Sequence, residues 1–253
     1  MTTDEWKKIC DSVSEKMRAH TRPFISPLSA ETETDIRLLG TGTYICHEGR
    51  RLLFTCNHVV AEPPIHYGFY NSSGVYEYKG QWTKDTTSDI AYAEIKHQLW
   101  YSSCHLGKVV PFSRFAARHE PISDELLFFH GYAGENSTYG FGRLNNNGTG
   151  YCTQEKKNTA DEKIFELLWQ PNDTKLASSS NAVGKSMKFQ NPGGFSGALV
   201  WNTRYVEFNS LSKEWSPEEA VVTGLLQRWD QKKQALLALR VEQLQDWLKD
   251  RAS

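Results

Sequence analysis

Three segments of the sequence contain the side chains that acyl transfer to a hydroxyl requires. His58 follows an apolar run at 52–54, Asp89 precedes Ile-Ala, and Ser196 lies in a glycine-rich stretch at 190–199. A hydroxyl attacks an acyl group at neutral pH when an imidazole takes its proton and a carboxylate orients that imidazole. These three residues could supply that chemistry.

Glycines next to the serine suggest how the developing oxyanion would be held. An oxyanion hole needs neighbouring N–H groups to converge on one point, which forces unusual backbone angles that glycine tolerates best. Gly194 precedes the serine by two residues and Gly197 follows it. The N–H groups of Gly194 and Ser196 are therefore the natural oxyanion donors.

Taken in order, the three segments resemble the catalytic blocks of the trypsin/chymotrypsin-like serine peptidases. The family's T-A-A-H block is T-C-N-H at 55–58, its D-I-A block is unchanged at 89–91, and its G-D-S-G-G block is G-F-S-G-A at 194–198. Residues 222–226 resemble the strand that lines the family's cleft, and 241–248 resemble its C-terminal helix. The resemblance covers roughly residues 36–250 and is specific because the blocks occur in the same order.

The resemblance implies a role for each residue. Ser196 would be the nucleophile, His58 the general base and then the acid for the leaving amine, and Asp89 the group that fixes the imidazole tautomer. Gly194 and Ser196 would form the oxyanion hole. No cofactor and no metal would take part.

Two departures from the family concern activation and specificity. Phe195 stands where secreted trypsins have the aspartate that pairs with a new N-terminus, and no activation peptide is evident near residues 30–40. We therefore expect a cytosolic, non-zymogen type of site that is always formed or is ordered by a partner or substrate.

The substrate-binding residues implied by the resemblance are unusual. Gln190 corresponds to the base of the primary pocket, and Gln227, Arg228 and Trp229 fall where the family has Ser, an aromatic residue and Gly. A neutral Gln190 disfavours a choice of Lys or Arg in the substrate. The bulky residues could narrow or cover the pocket.

Other chemical sites are less well supported. An α/β-hydrolase needs a histidine after its serine, and all eight histidines lie at or before His130. The cysteines and histidines lack the C-x-x-C and H-x₃₋₅-H spacings of zinc sites. The segment at 183–186 lacks the earlier glycine of a phosphate-binding loop, and Gly40-Thr-Gly42 lacks the third glycine of a dinucleotide-binding motif.

Composition limits the class of protein. The chain has 253 residues, a formal charge of −1 and 39% hydrophobic residues. Near-neutral charge argues against nucleic acid as a partner, and no apolar run approaches the roughly 18 residues that span a membrane. The polar start of the chain lacks the features of a secretory signal, and five unpatterned cysteines fit reduced thiols, so we expect a cytoplasmic protein.

The elements that must position the site are mostly strands. Apolar spacing predicts an amphipathic helix over 4–19, a connector over Thr21–Thr34, and a second helix near the C-terminus in the run that begins at Leu239. Residues 42–46 and 51–55 read as a hairpin around a turn at 47–50. The other strand candidates are His66–Tyr70, Val75–Tyr78, Ile90–Ile95, Leu126–His130, Ile164–Leu168, Ala198–Trp201 and Val221–Leu226.

We therefore predict an all-β, chymotrypsin-like fold of two six-stranded antiparallel barrels with an N-terminal and a C-terminal helix. The predicted units are 1–35 (helix and connector), 36–115 (first barrel, with the histidine and aspartate) and 116–253 (second barrel, with the serine, and the C-terminal helix).

Two functions are kept open. The first is an intracellular serine endopeptidase that cleaves a protein or peptide. By analogy with prokaryotic peptidases of stress or defence pathways, a dedicated intracellular partner is one candidate substrate. The second is a catalytically idle or partner-gated module that uses the same cleft for binding. An activating protein partner could dock on the N-terminal helix.

Overall fold

The structure, a computed structural model, describes residues 3–31, 36–62, 64–140, 143–157, 161–170 and 190–252. Within these residues are two β-sheets and four α-helices, with short 3₁₀ turns between several of them. The helices are α1 (Thr3–Thr21), α2 (His97–Ser102), α3 (Tyr205–Ser210) and α4 (Val241–Ala252).

The first sheet contains eight strands in the order β5-β4-β1-β2-β3-β7-β6, with β8 paired to β2. All pairs are antiparallel except β2 with β8. The strands are β1 (Ile25–Glu31), β2 (Ile36–His47), β3 (Arg50–Thr55), β4 (Ile65–Gly68), β5 (Val75–Tyr78), β6 (Thr83–Asp85), β7 (Ile90–Glu94) and β8 (Val110–Pro111).

The second sheet contains six antiparallel strands in the order β10-β9-β12-β13-β14-β11. Its two ends meet, because the segment after β10 pairs with β11 through a bridge between Glu155 and Leu167. The strands are β9 (Leu127–Gly140), β10 (Arg143–Thr153), β11 (Ile164–Leu168), β12 (Leu199–Asn202), β13 (Val221–Asp230) and β14 (Ala235–Arg240).

The predicted fold class is confirmed, with differences in detail. The second sheet has the predicted six strands, but the first has eight, because the short strands β6 and β8 add to it. The hairpin of β2 and β3 is confirmed: Glu48 and Gly49 both have positive φ, as a two-residue type I′ turn requires. Leu239 belongs to β14 and not to the C-terminal helix, because it is buried opposite Leu225.

The predicted connector over Thr21–Thr34 is wrong for Ile25–Glu31, which forms β1 between β2 and β4. Pro27 concealed this strand, since proline cannot donate to a ladder. Opposite Pro27 lies Thr41, whose N–H donates to Ser196 and whose carbonyl accepts from the Thr55 hydroxyl. Because Thr41 directs its backbone groups elsewhere, a proline is tolerated opposite it.

The two terminal helices pack on the sheets. Helix α1 buries Val13 and Met17 in the core, as its spacing predicts, and leaves its charged face in solvent. Helix α4 follows the second sheet but places Trp247 against Phe54 and Tyr92 of the first sheet. No helix in the described part of the chain has the length and apolar character needed to cross a membrane.

Candidate active site

The histidine and the aspartate are brought together by the pairing of β3 with β7. These strands are antiparallel and place Thr55 opposite Ala91, so the end of β3 meets the start of β7. His58 lies on the 3₁₀ turn Asn57–Val60 that follows β3, and this turn is anchored by the buried Val59 and Val60. Asp89 immediately precedes β7. The pairing of these two strands therefore brings together two residues that are far apart in the sequence.

Asp89 binds His58 with both carboxylate oxygens. His58 Nδ1 lies 2.7 Å from Asp89 Oδ2, and the His58 backbone N–H donates to Asp89 Oδ1 at 2.9 Å. In this arrangement a carboxylate accepts from Nδ1–H and leaves Nε2 for a further hydrogen bond. Asp89 has a φ of 53°, in the left-handed region that is uncommon outside glycine. The pair thus presents a basic nitrogen from a side chain that is 48% exposed.

The serine lies on a turn that is joined to β13. Gly197 N–H donates to Leu226 O at 2.8 Å, and Leu226 N–H donates to Ala198 O at 2.9 Å. Gly197 has a φ of 91°, and a Cβ there would collide with the Thr41 carbonyl and the Thr55 hydroxyl. Only glycine fits this close approach of the two sheets. The Ser196 carbonyl is in turn bound by Thr41 N–H at 2.9 Å, one strand away from the histidine turn.

The Ser196 hydroxyl is directed at a backbone carbonyl. Its Oγ donates to Gln227 O at 2.7 Å, and the hydrogen bonds of His58 among the described residues are those with Asp89. Gln227 occupies a bulge between β13 and β14, so its backbone is free to face the serine. Activation of the serine by His58 therefore requires a rotation of the hydroxyl away from Gln227.

Two N–H groups of the turn, those of Gly194 and Ser196, have no hydrogen-bond partner among the described residues. Each carbonyl around them has a donor: Gly193 O accepts from Gly134 N–H at 2.7 Å, and Phe195 O accepts from Ala198 N–H at 2.9 Å. No acceptor in the described ranges is bound to either amide. Because N–H and C=O of a peptide point in opposite directions, the bond from Gly134 turns the Gly194 N–H away from Gly134. The two amides have the availability that an oxyanion hole needs.

Phe195 anchors this turn in the second core. Its side chain is 2% exposed and packs on Phe129 at a ring distance of 5.1 Å and on Trp169 at 6.4 Å. A buried apolar side chain thus lies at the position that, by the resemblance, corresponds to the ion-paired aspartate of the secreted trypsins. It stabilises the turn without any newly created N-terminus.

The four residues predicted to bind substrate differ in their exposure to solvent. Gln190 and Arg228 are exposed, and Trp229 is partly buried against the second core. Gln227 is buried, and its Nε2 donates to Ser88 O at 2.6 Å. Gln227 thus contacts the residue before Asp89. Residues 171–189, including the segment at 183–186, lie outside the described residues, and the substrate-binding roles stay predictions.

A group of three potential metal ligands overlaps the site. Atoms of Cys56, His58 and Asp89 lie within 4.8 Å of one another. A metal would need the thiolate of Cys56. Burial, followed by the nearby charge of Asp89, raises the pKa of this thiol well above its usual value, and its Sγ donates to Leu226 O at 3.3 Å. In this structure the thiol of Cys56 thus serves as a hydrogen-bond donor to β13.

The sequence analysis missed two residues of the site. Thr41 and Thr55, both buried, connect β2 and β3 with the serine turn. The Gly40-Thr-Gly42 motif was the available signal, because a Cβ on Gly40 would lie 2.9 Å from Ser196 O. A glycine pair in a strand indicates a close approach of another backbone, which here is the serine turn.

No protein-family model matches the sequence, and no curated protein matches it. Among solved structures, Rv3671c from M. tuberculosis H37Rv, in an inactive mutant form, has a TM-score of 0.51 at 15% identity and covers 94% of this chain and 91% of its own. The serine protease domain of the Sesbania mosaic virus polyprotein has a TM-score of 0.48 at 10% identity over 86% and 88%. Catalytically inactive tobacco etch virus protease, complexed with substrate, has a TM-score of 0.46 at 12% identity over 87% and 79%. The chain has the chymotrypsin-like protease fold.

Proposed function

We propose that this protein is a serine endopeptidase that cleaves a protein or peptide through an acyl-enzyme intermediate. The observation that carries the proposal is the bidentate Asp89–His58 pair, together with a serine turn in which two amides have no partner among the described residues. Gln227 links the two parts, because its carbonyl accepts from Ser196 Oγ and its side chain donates to Ser88, the residue before Asp89.

The proposed reaction has two halves, acylation and deacylation of Ser196, and both use the same imidazole and the same two amides. After rotating towards His58, Ser196 Oγ attacks the peptide carbonyl and transfers its proton to His58 Nε2. The carbonyl oxygen becomes an oxyanion that the N–H groups of Gly194 and Ser196 would stabilise. The C–N bond then breaks as His58 returns the proton to the leaving amine. Water, activated by the same imidazole, hydrolyses the ester and regenerates Ser196.

A partner-gated or catalytically idle binding module is the second candidate. The observation that favours it is the hydrogen bond from Ser196 Oγ to Gln227 O, which holds the hydroxyl away from the base. In this case a dedicated partner would release the serine. Because α1 buries its apolar face, a partner that docks there would meet the charged face of α1.

Labelling with a fluorophosphonate probe near neutral pH separates the two functions. We expect the folded wild-type chain to be labelled and the Ser196→Ala and His58→Ala variants to remain unlabelled. Ser137→Ala is a matched control, because its hydroxyl bonds only the nearby Ala133 carbonyl among the described residues. Labelling that persists in Ser196→Ala would contradict the proposal. A wild type that is labelled only after a partner is added would favour the gated module.

A further inference from the structure

One threonine of the first sheet is bound to the serine turn of the second sheet through both its side chain and its backbone. Thr41 is fully buried on β2. Its hydroxyl donates to Gly194 O at 2.8 Å and accepts from Tyr132 N–H at 3.0 Å. Its backbone N–H donates to Ser196 O at 2.9 Å. Thr41 thus binds the carbonyls of the two residues whose amides would form the oxyanion hole.

Gly194 needs this support because of its backbone. Its φ is 103°, and without a Cβ the two peptide planes that flank it rotate easily. Gly134 N–H holds the plane before Gly194, and the Thr41 hydroxyl holds the plane after it. Removal of the hydroxyl would leave the Gly194 carbonyl and the Tyr132 N–H without their partner. The peptide between Gly194 and Phe195, which lies between the two proposed oxyanion donors, would then keep only the bond from Phe195 N–H to Pro192 O.

We propose that Thr41 is a positioning residue that fixes the peptide between Gly194 and Phe195 and so sets how the N–H groups of Gly194 and Ser196 are directed relative to each other in the oxyanion hole. This inference rests on the proposed peptidase function. Thr41 is buried, so it does not contact substrate, and it acts through Gly194. Its loss should therefore lower the rate of the chemical step and leave binding unchanged.

The test measures fluorophosphonate labelling as a function of probe concentration, which separates kinact from KI. Thr41→Val keeps the shape of the side chain and removes the hydroxyl. We expect its kinact to fall at least about tenfold, short of the roughly 10²–10³-fold loss that removal of a whole donor causes. KI should not change. Thr41→Ser keeps the hydroxyl and should have the wild-type kinact.

Thr43→Val is the matched control on the same strand. Thr43 is 1% exposed, and its hydroxyl has no hydrogen-bond partner in the part of the chain that the structure describes. This variant should label at the wild-type rate. If Thr41→Val does not fold, Thr41→Ser is compared with Thr41→Cys, whose thiol is a much weaker donor. We then expect only the cysteine variant to lose kinact.

The outcomes distinguish this inference from the proposed function. A labelled wild type with an unchanged kinact in Thr41→Val overturns the role of Thr41 alone. Equal losses in Thr41→Ser or Thr43→Val also overturn it, because the hydroxyl bond would not be the cause. A wild-type chain that is never labelled at Ser196 overturns the peptidase function, and the inference with it.

Discussion

Replacement of Phe195 tests how the serine turn is held. Phe195→Ala removes a side chain that is 2% exposed between Phe129 and Trp169. Truncation of a buried phenylalanine costs about 3–5 kcal/mol of unfolding free energy. A domain is stable by about 5–15 kcal/mol, so the variant should remain folded at low temperature. Because Phe195 lies between the two proposed oxyanion donors, we expect labelling of Ser196 to slow at least about tenfold.

Phe165→Ala provides the matched control. Phe165 is fully buried in the same core but packs on His119 and lies on β11, which β14 separates from the strand that binds the serine turn. Denaturant unfolding should show a similar loss of stability, about 3–5 kcal/mol, in both variants. Labelling is measured where both are folded. If Phe195→Ala labels at the wild-type rate, or if Phe165→Ala slows equally, apolar anchoring of the turn is refuted.

Two further predictions concern backbone strain and pH. Gly197→Ala should abolish labelling, because its Cβ collides with Thr41. It should also lower the free energy of unfolding by well over the roughly 1–2 kcal/mol that a left-handed alanine costs. In the control Gly49→Ala, φ is also positive but nothing lies within 4 Å of the added Cβ, so denaturation should show only that smaller loss. Burial lowers the pKa of His130 from 6.5 to about 3, so below pH 6.5 the unfolded chain binds the proton that the folded chain excludes. The free energy of unfolding should therefore fall as pH drops from 6.5 towards 3, and His130 should contribute up to about 1.4 kcal/mol per pH unit to this fall. In denaturation curves measured against pH, His130→Gln should lack the contribution of His130.

The sequence predicts those parts of the fold whose signals are local. The β2–β3 hairpin has a turn of two residues with positive φ, and α1 has a clear helical period, so both were predictable. Strand β1 was not, because Pro27 argues against a strand unless the opposite residue is known to use its backbone elsewhere. That information exists only once β2 and the serine turn have met.

In the candidate site too, local sequence signals were predictable and long-range contacts were not. The order of His58, Asp89 and Ser196, with the glycines around the serine, was sufficient to propose the chemistry. The assignment of Gln227 was harder, because its side chain donates to Ser88 in the turn between β6 and β7 and its carbonyl accepts from the Ser196 hydroxyl. Both contacts join residues that are far apart in sequence. Residue type alone does not reveal which way a glutamine on a bulge turns.

The free energy of the hydrogen bond from the Ser196 hydroxyl to Gln227 O bears on the choice between an enzyme and a gated module. A neutral intramolecular hydrogen bond contributes about 0.5–1.5 kcal/mol net, so release of the Ser196 hydroxyl from Gln227 O costs at most roughly a factor of ten. A loss of that size is small beside the roughly 10²–10³-fold effect of a single oxyanion donor. The donors here are held by Gly134 N–H, the Thr41 hydroxyl and the burial of Phe195, none of which requires chain cleavage. The resting serine therefore lowers the expected rate modestly, and a fully idle site would need a further obstacle, such as a pocket covered by Arg228 and Trp229, the residues predicted to bind substrate.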